Sequence, residues 1–401
     1  MLEIPADVKV NGDPVSSGPS RSWSIGLLSL DLYFFWFALY LFVPVLSVYA
    51  ESLGASLSMV GLIVSAYGLT QLIVRVPMGM LSDRMGQRRP FVTIAFVIVV
   101  LSVAGLAWSP DPTWLLICRG LTGLAAATWV TTTVLYSSYF PKDRSIRAVG
   151  LATFFQGMAI VTATAAGGIL ADAYGWSSTF YVAMIPAVVG VILSLFLADD
   201  VTIDRTKILS FRSLKTMSGR NLLLIASALG CLTQYVNYAT TFSFVPIYGA
   251  NIGASNTALG WLSTVVFIPY TLFALVSSRL VDRVGERALV ALGLTIMGLM
   301  TVALPFINSV PLLVASRMVY GMGTGISFPV IMGLSIQRVE REQRASAMGV
   351  FQAVYALGMF AGPAFSGFIA DGLGIAGMFY SVGMLCFVAA LLGIRFVPRQ
   401  P

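Results

Sequence analysis

Histidine is absent from the 401 residues, and charge of either sign is scarce: Asp, Glu, Lys and Arg together make up 10% of the chain, against about a quarter in soluble domains. Without an imidazole, any proton relay must run through a carboxylate. Only three cysteines occur, Cys118, Cys231 and Cys386. Each falls inside an apolar run without metal-ligand spacing, so each reads as a small core residue; neither a disulfide nor a metal site is expected. No G-x-x-x-x-G-K-[ST] run is found, which excludes a Walker A loop and nucleotide-driven work. Gly321-Met322-Gly323-Thr324-Gly325 is glycine-rich but lies within an apolar run, where it packs helices. With no nucleophile motif, no histidine cluster and no appended soluble domain, an enzyme is not expected, and no cofactor is implied.

Hydrophobic residues fill the space that charge leaves, at 57% of the chain and a mean hydropathy of +0.87. A membrane span needs ~20 mostly apolar residues. Short polar breaks divide the chain into twelve such runs near 23–47, 57–80, 90–108, 113–138, 147–171, 176–197, 221–247, 257–279, 288–307, 311–336, 345–370 and 374–397. The expected fold is an all-α membrane protein embedded in a lipid bilayer. Residues 1–22, rich in Pro, Gly and Ser, have no apolar stretch of their own and read as a disordered tail.

The placement of the basic residues orients these spans. Of the 24 Lys and Arg, all but Arg75, Arg119 and Arg317 lie before the first run, after an even-numbered run, or at an end of one of those segments. The breaks 48–56, 109–112 and 248–256 contain none. Both termini are therefore expected in the cytoplasm, in the cell membrane. A sequence pI of 9.4 also invites a nucleic-acid reading, but basic residues spread over seven separate segments make no groove, and no nucleic acid is expected.

The chain repeats itself. Asp83-Arg84-Met85-Gly86 recurs as Asp282-Arg283-Val284-Gly285, an offset of 199 residues shared by Gly54-Ala55-Ser56 with Gly253-Ala254-Ser255, Gly150 with Gly349, and Asp172 with Asp371. Arg119-x-x-x-Gly123 and Arg317-x-x-x-Gly321 follow at 198. Two six-helix halves of like orientation, 23–197 and 221–397, are thus expected around a linker at 198–220, with a small-molecule substrate between them near the bilayer midplane.

With the duplication in view, Gly79-Met80-Leu81-Ser82-Asp83-Arg84-Met85-Gly86-Gln87-Arg88-Arg89 resembles the loop signature of the major facilitator superfamily, and the likeness covers essentially the whole chain. In that motif Gly79 would let helices approach closely, Asp83 would meet a helix N-terminus or an arginine, and Arg84 and Arg88 would hold the loop in the cytoplasm. Gly86, Asp282, Arg283 and Gly285 complete the two copies. Arg119, Gly123 and Ala126 resemble the family's second motif, which the resemblance links to proton coupling. Gly349, Gly358, Gly362-Pro363 and Gly367 resemble the glycine-proline signature of its twelve-helix drug:proton antiporter branch, although in the eleventh span. In the fifth span, where that signature belongs, Ala159, Ala163 and Thr164 stand where glycines and proline are expected. Helix packing is the competing role for these glycines.

Charges inside the membrane are costly and usually face a cavity or a partner. Asp31 is the one carboxylate deep in a span, with Arg75, Arg119 and Arg317 as the arginines. Aligning Phe42-Val43-Pro44 with Phe244-Val245-Pro246 sets Thr233 opposite Asp31, and the 199 offset sets Ala274 opposite Arg75, so neither charge is repeated. Residues that serve transport rather than the scaffold need no repeat. Counted at 1.5 Å per residue, both lie ~10 Å deep, within reach of an Asp31–Arg75 ion pair. Two readings follow: Asp31 is the proton-binding carboxylate of a coupling group with Arg75 and Arg119, where protonation releases its pair with a nearby arginine, or it forms a static pair that fixes packing. Tyr67, Gln71 and Arg75 share one helix face. Gln156, Gln234, Asn237, Tyr238, Gln352 and Tyr355 fall on helices that line the central cavity in the superfamily, and join Gln71 and Arg317 as candidate substrate contacts. Each of those polar residues also reads as an ordinary interhelical hydrogen bond. The aromatic run Tyr33-Phe34-Phe35-Trp36-Phe37 is expected to face lipid in part.

The leading expectation is a monomeric secondary transporter using protons to drive efflux of small amphipathic or drug-like molecules. A carrier for a small organic anion or metabolite is the alternative, since buried arginines outnumber buried carboxylates. A sensor or membrane enzyme is the weaker third.

Overall fold

A computed structural model describes residues 21–141, 145–199, 219–340 and 343–398, and these residues form helices and connections without a strand. The tail and the central linker expected from sequence lie almost wholly outside the described residues.

Polar caps and prolines set where the helices start and break. The first span runs as Arg21–Tyr40 and then Val43–Ser52. Pro44 has no N–H to give the ladder, and the helix restarts there. Its repeat counterpart Pro246 sits at the same point of the seventh span, where Arg220–Ala239 passes through a π-turn, Thr240–Phe244, into Val245–Asn251. The second and eighth spans, Leu57–Met85 and Asn256–Val284, begin at Ser56 and Ser255, whose hydroxyls accept from the backbone N–H groups of Met59 and Ala258, each at 3.2 Å. The third span is Arg89–Ala107, and the fourth is Pro112–Ala126 followed by Trp129–Ser138. Ser145–Tyr174, Trp176–Ser194, Glu286–Ala303 and Val310–Gln337 are the fifth, sixth, ninth and tenth.

The last helical stretch, Arg344–Phe396, is 53 residues long, too long for one crossing. Gly374 divides it: at φ 74° and ψ 166° the chain leaves helical geometry, in a region closed to residues with a Cβ. Among the described residues the count is therefore twelve spans. Gly175, with φ 81°, opens the sixth span 199 residues earlier, so the repeat extends to the turns.

The spans form two six-helix halves. Contact between halves runs through the second span on the eleventh, the fifth on the eighth, and the outer part of the first on the seventh and eighth. Many apolar side chains point outward, among them Leu101, Ile185 and Leu391, each more than 60% exposed; such a surface suits hydrocarbon rather than water. Within the aromatic run, Phe35 and Trp36 are buried against Phe96 and Trp129 instead of facing lipid.

Two ends of the bundle differ in charge. One, called here the basic end, carries Arg84, Arg88, Arg283, Arg338 and Arg395; the distal end carries the connections around Gly54 and Gly253.

Candidate functional site

Asp31 sits on the third turn of the first span, wholly buried, on the face that packs against the third and fourth spans. It opens on a pocket that holds about one water molecule. Phe35, Phe96 and Trp129 wall it, with Thr128 and Thr132 from the point where the fourth span breaks. Both threonine hydroxyls are already used: Thr128 donates to the Ala125 carbonyl at 2.7 Å and Thr132 to that of Thr128 at 3.0 Å. Neither carboxylate oxygen of Asp31 accepts a hydrogen bond among the described residues.

Arg75 is not its partner. The expected ion pair is absent, because Arg75 points across to the other half. Its Nη1 donates to Gln352 Oε1 of the eleventh span at 3.4 Å, and its Nη2 to Gln71 Oε1 one turn earlier. Neither a static pair nor one that protonation would release is therefore formed by Asp31 with Arg75. Arg119 does not reach it either. That guanidinium lies 4.5 Å from the centroid of the Tyr67 ring and 5.6 Å from that of Phe42, and donates to Thr122 Oγ1 at 3.3 Å. Held over aromatic faces, it gains cation–π attraction in a dry setting where that attraction is strongest.

The same aromatic group bridges the halves. Tyr67 stacks on Tyr238 of the seventh span with centroids 6.3 Å apart, and Tyr238 meets Phe242, which touches Tyr40. Tyr40 and Phe242 are missing from the sequence-based candidates. Their signal was the Phe-Val-Pro alignment, which places one opposite the other.

Three further candidates form a chain in the C-terminal half. Arg317 Nη2 donates to Thr241 Oγ1 at 2.6 Å, Thr241 to Asn237 Oδ1 at 3.1 Å, and Asn237 to Gln234 Oε1 at 3.3 Å. Thr241, which sequence reading did not single out, lies in the π-turn, a feature often found at functional sites. Arg317 is fully buried with its guanidinium 3.9 Å from the Tyr320 ring centroid, so it braces the π-turn rather than facing an open cavity. Gln156 and Tyr355 are half-buried on the fifth and eleventh spans, Tyr355 against Phe351 and Phe328.

The loop motif behaves in part as expected. Gly86 caps the second span in the left-handed region and Gly285 the eighth, also with positive φ. Arg84, Asp282 and Arg283 are exposed, and the side chain of Asp83 lies outside the described residues. Gly79 is no point of close approach, since a Cβ there would meet only Val130 Cγ1 at 3.8 Å. Arg88 is buried at the N-terminus of the third span, where its N–H donates to Asp199 Oδ1 at 2.8 Å. Gly358 and Gly362 do allow tight packing: a Cβ would stand 2.0 Å from the Cys231 carbonyl oxygen and 2.3 Å from that of Tyr235. The Pro363 carbonyl oxygen lies against Gly61 of the second span.

The family model described as Major Facilitator Superfamily matches residues 32–250 and 227–401. The chain belongs to the major facilitator superfamily. Within this superfamily it is 25% identical to a multi-drug resistance efflux pump PmrA homolog of Lactococcus lactis, over 84% of this chain and 86% of that one. It is 26% identical to a probable sugar efflux transporter of Pasteurella multocida, covering 86% and 87%. Among solved structures it superposes on a bacterial homolog of the human lysosomal transporter Spinster with a TM-score of 0.81, at 15% identity, covering 94% of this chain and 97% of that one. Identity at that level speaks for the shared fold alone. The chain is a multi-pass membrane transporter.

Proposed function

We propose that this transporter couples proton movement to the efflux of small amphipathic or drug-like molecules by alternating access, with Asp31 as the proton-binding group. The observation that carries this is the pocket around Asp31, walled by aromatic rings and two threonines whose hydroxyls donate elsewhere, with no cation among its lining residues, and large enough for about one water. An ionised carboxylate there is uncompensated, whereas its neutral acid is not. The pocket has room for a proton and its water, not for a cargo molecule.

Cargo would instead pass between the halves, along Tyr67, Gln71, Arg75, Tyr238 and Gln352, where groups of both halves meet. Separation of the two sites suits coupling through conformation, with protonation at Asp31 relayed through the first span and the broken fourth span, which also carries Arg119. The basic end is taken as cytoplasmic, following the positive-inside rule. Relatives named for multidrug and sugar efflux support the direction of transport.

A second reading has its own observation. Arg75 and Arg119 each leave a buried Nε without a partner, and no described carboxylate pairs with either. A small organic anion would supply the missing counter-charge.

The test is uptake into proteoliposomes under an imposed pH gradient, with an amphipathic cation, a neutral sugar and an organic anion as separate probes. Gradient-driven accumulation of the cation supports the first reading, accumulation of the anion the second. Absence of any gradient dependence defeats proton coupling.

A further inference from the structure

At the distal end the two halves are tied by the same contact made twice. Asp172, near the end of the fifth span, reaches into the other half, where its Oδ1 accepts from the Asn256 N–H at 2.9 Å and its Oδ2 from that of Thr257 at 2.7 Å. These are the first amides of the eighth span. Asp371, near the end of the eleventh span, does the same in reverse: it accepts from the N–H groups of Leu57 at 3.1 Å and Ser58 at 3.0 Å, the first amides of the second span. The Ser58 hydroxyl also donates to Asp371. All four positions, Asp172 with Asp371 and Asn256 with Leu57, are related by the 199-residue repeat.

Each helix end is thereby capped from two sides. Ser56 and Ser255 take the third amide from within their own half, and the carboxylate of the opposite half takes the first two. A negative group at a helix N-terminus gains from the helix dipole as well as from the hydrogen bonds. Breaking the contact leaves two N–H groups and one carboxylate to find water.

Independent packing runs directly beneath both contacts. A Cβ on Gly168 would stand 2.9 Å from the Cα of Gly260, and one on Gly367 at 2.9 Å from the Cα of Ser58. Helices meet backbone to backbone there, so the carboxylates can reach the facing amides. Thr164 and Thr264 share a hydrogen bond of 2.8 Å one turn deeper, and Trp176 Nε1 donates to Asn256 Oδ1 at 2.9 Å. Toward the basic end, Gly150, Gly157, Gly333 and Gly349 have nothing within 4 Å of a built Cβ.

We infer that Asp172 and Asp371 are a paired latch that holds the distal end shut, and that this end opens only when both carboxylates leave the helices of the opposite half. Since the two contacts are equivalent by the repeat, they act on one motion, the parting of the halves. Their loss favours the state open at the distal end and leaves the proton pocket and the Arg75 contact intact. This rests on transport by alternating access but on neither the cargo nor the coupling ion.

The experiment is a distance measurement between spin labels on Ser52→Cys and Asn251→Cys, exposed positions at the distal ends of the first and seventh spans, in reconstituted protein with Cys118, Cys231 and Cys386 replaced by alanine. Asp172→Asn or Asp371→Asn should raise the ratio of long to short distances roughly threefold, and the double variant about tenfold, the scale of a helix-terminus charge lost once or twice. Glu51→Gln removes a carboxylate from the same rim that caps no helix, and should leave the ratio unchanged. A double variant with the wild-type distribution overturns the latch, as does an equal shift in Glu51→Gln. Should the double variant be poorly produced, either single variant decides by the same criterion. Distances are read without flux, so failure here is distinct from failure of proton coupling.

Discussion

The guanidinium of Arg75 lies 3.4 Å from Gln352 Oε1, in the opposite half, and not against Asp31. One cation of the second span thus faces the plane along which the halves separate, while the carboxylate of the first span faces inward to its own half. Arg75→Gln is expected to cost less than about 1 kcal/mol of stability, the scale of a single interhelical hydrogen bond in a membrane. Its effect on transport should be selective. On the organic-anion reading, the variant loses anion uptake about tenfold or more; on the drug-efflux reading the loss falls on transport of the amphipathic cation. Transport of both probe classes in proteoliposomes, beside thermal unfolding, separates these outcomes.

Two motif glycines should respond oppositely. Gly362→Ala drives a Cβ to 2.3 Å from the Tyr235 carbonyl oxygen, and the eleventh and seventh spans must part. Overpacking of this kind costs ~1–3 kcal/mol. Gly79→Ala has its nearest neighbour at 3.8 Å and gains up to ~1 kcal/mol of helix propensity. Melting of the purified variants should show Gly362→Ala destabilised and Gly79→Ala equal to or above wild type.

Much of this architecture was legible in the sequence. Apolar runs marked the spans, and the offset between Asp83-Arg84-Met85-Gly86 and Asp282-Arg283-Val284-Gly285 announced the duplication. Azimuth was not legible. Whether a residue of the first span looks at the second or at the third depends on helix rotation, which the near-uniform apolarity of these spans does not encode. Asp31 was therefore found as a candidate and given the wrong neighbour. Thr128 and Trp129 escaped notice because their place at the pocket comes from the break in the fourth span, which has no proline to signal it.

Arg317 offers a test of structure against function. It is fully buried, with Nε and Nη1 unpartnered among the described residues. Replacing a poorly compensated buried charge by an apolar side chain of similar size is often neutral or stabilising. Arg317→Met is expected to melt at or above the wild-type temperature yet lose transport about tenfold, because Thr241 and the π-turn are no longer held. Thr241→Val should show the same loss in milder form. A large drop in melting temperature for Arg317→Met would show that the arginine serves the fold instead.

Proton coupling through Asp31 is the central claim, and Asp31→Asn tests it most directly. The amide keeps the shape of the carboxylate but cannot take up and release a proton. Proteoliposomes carrying the variant should still exchange substrate across the membrane without a gradient, while accumulation driven by an imposed pH gradient falls about tenfold or more, the scale of a coupling free energy of ~1–3 kcal/mol. Full gradient-driven accumulation by Asp31→Asn would contradict the account.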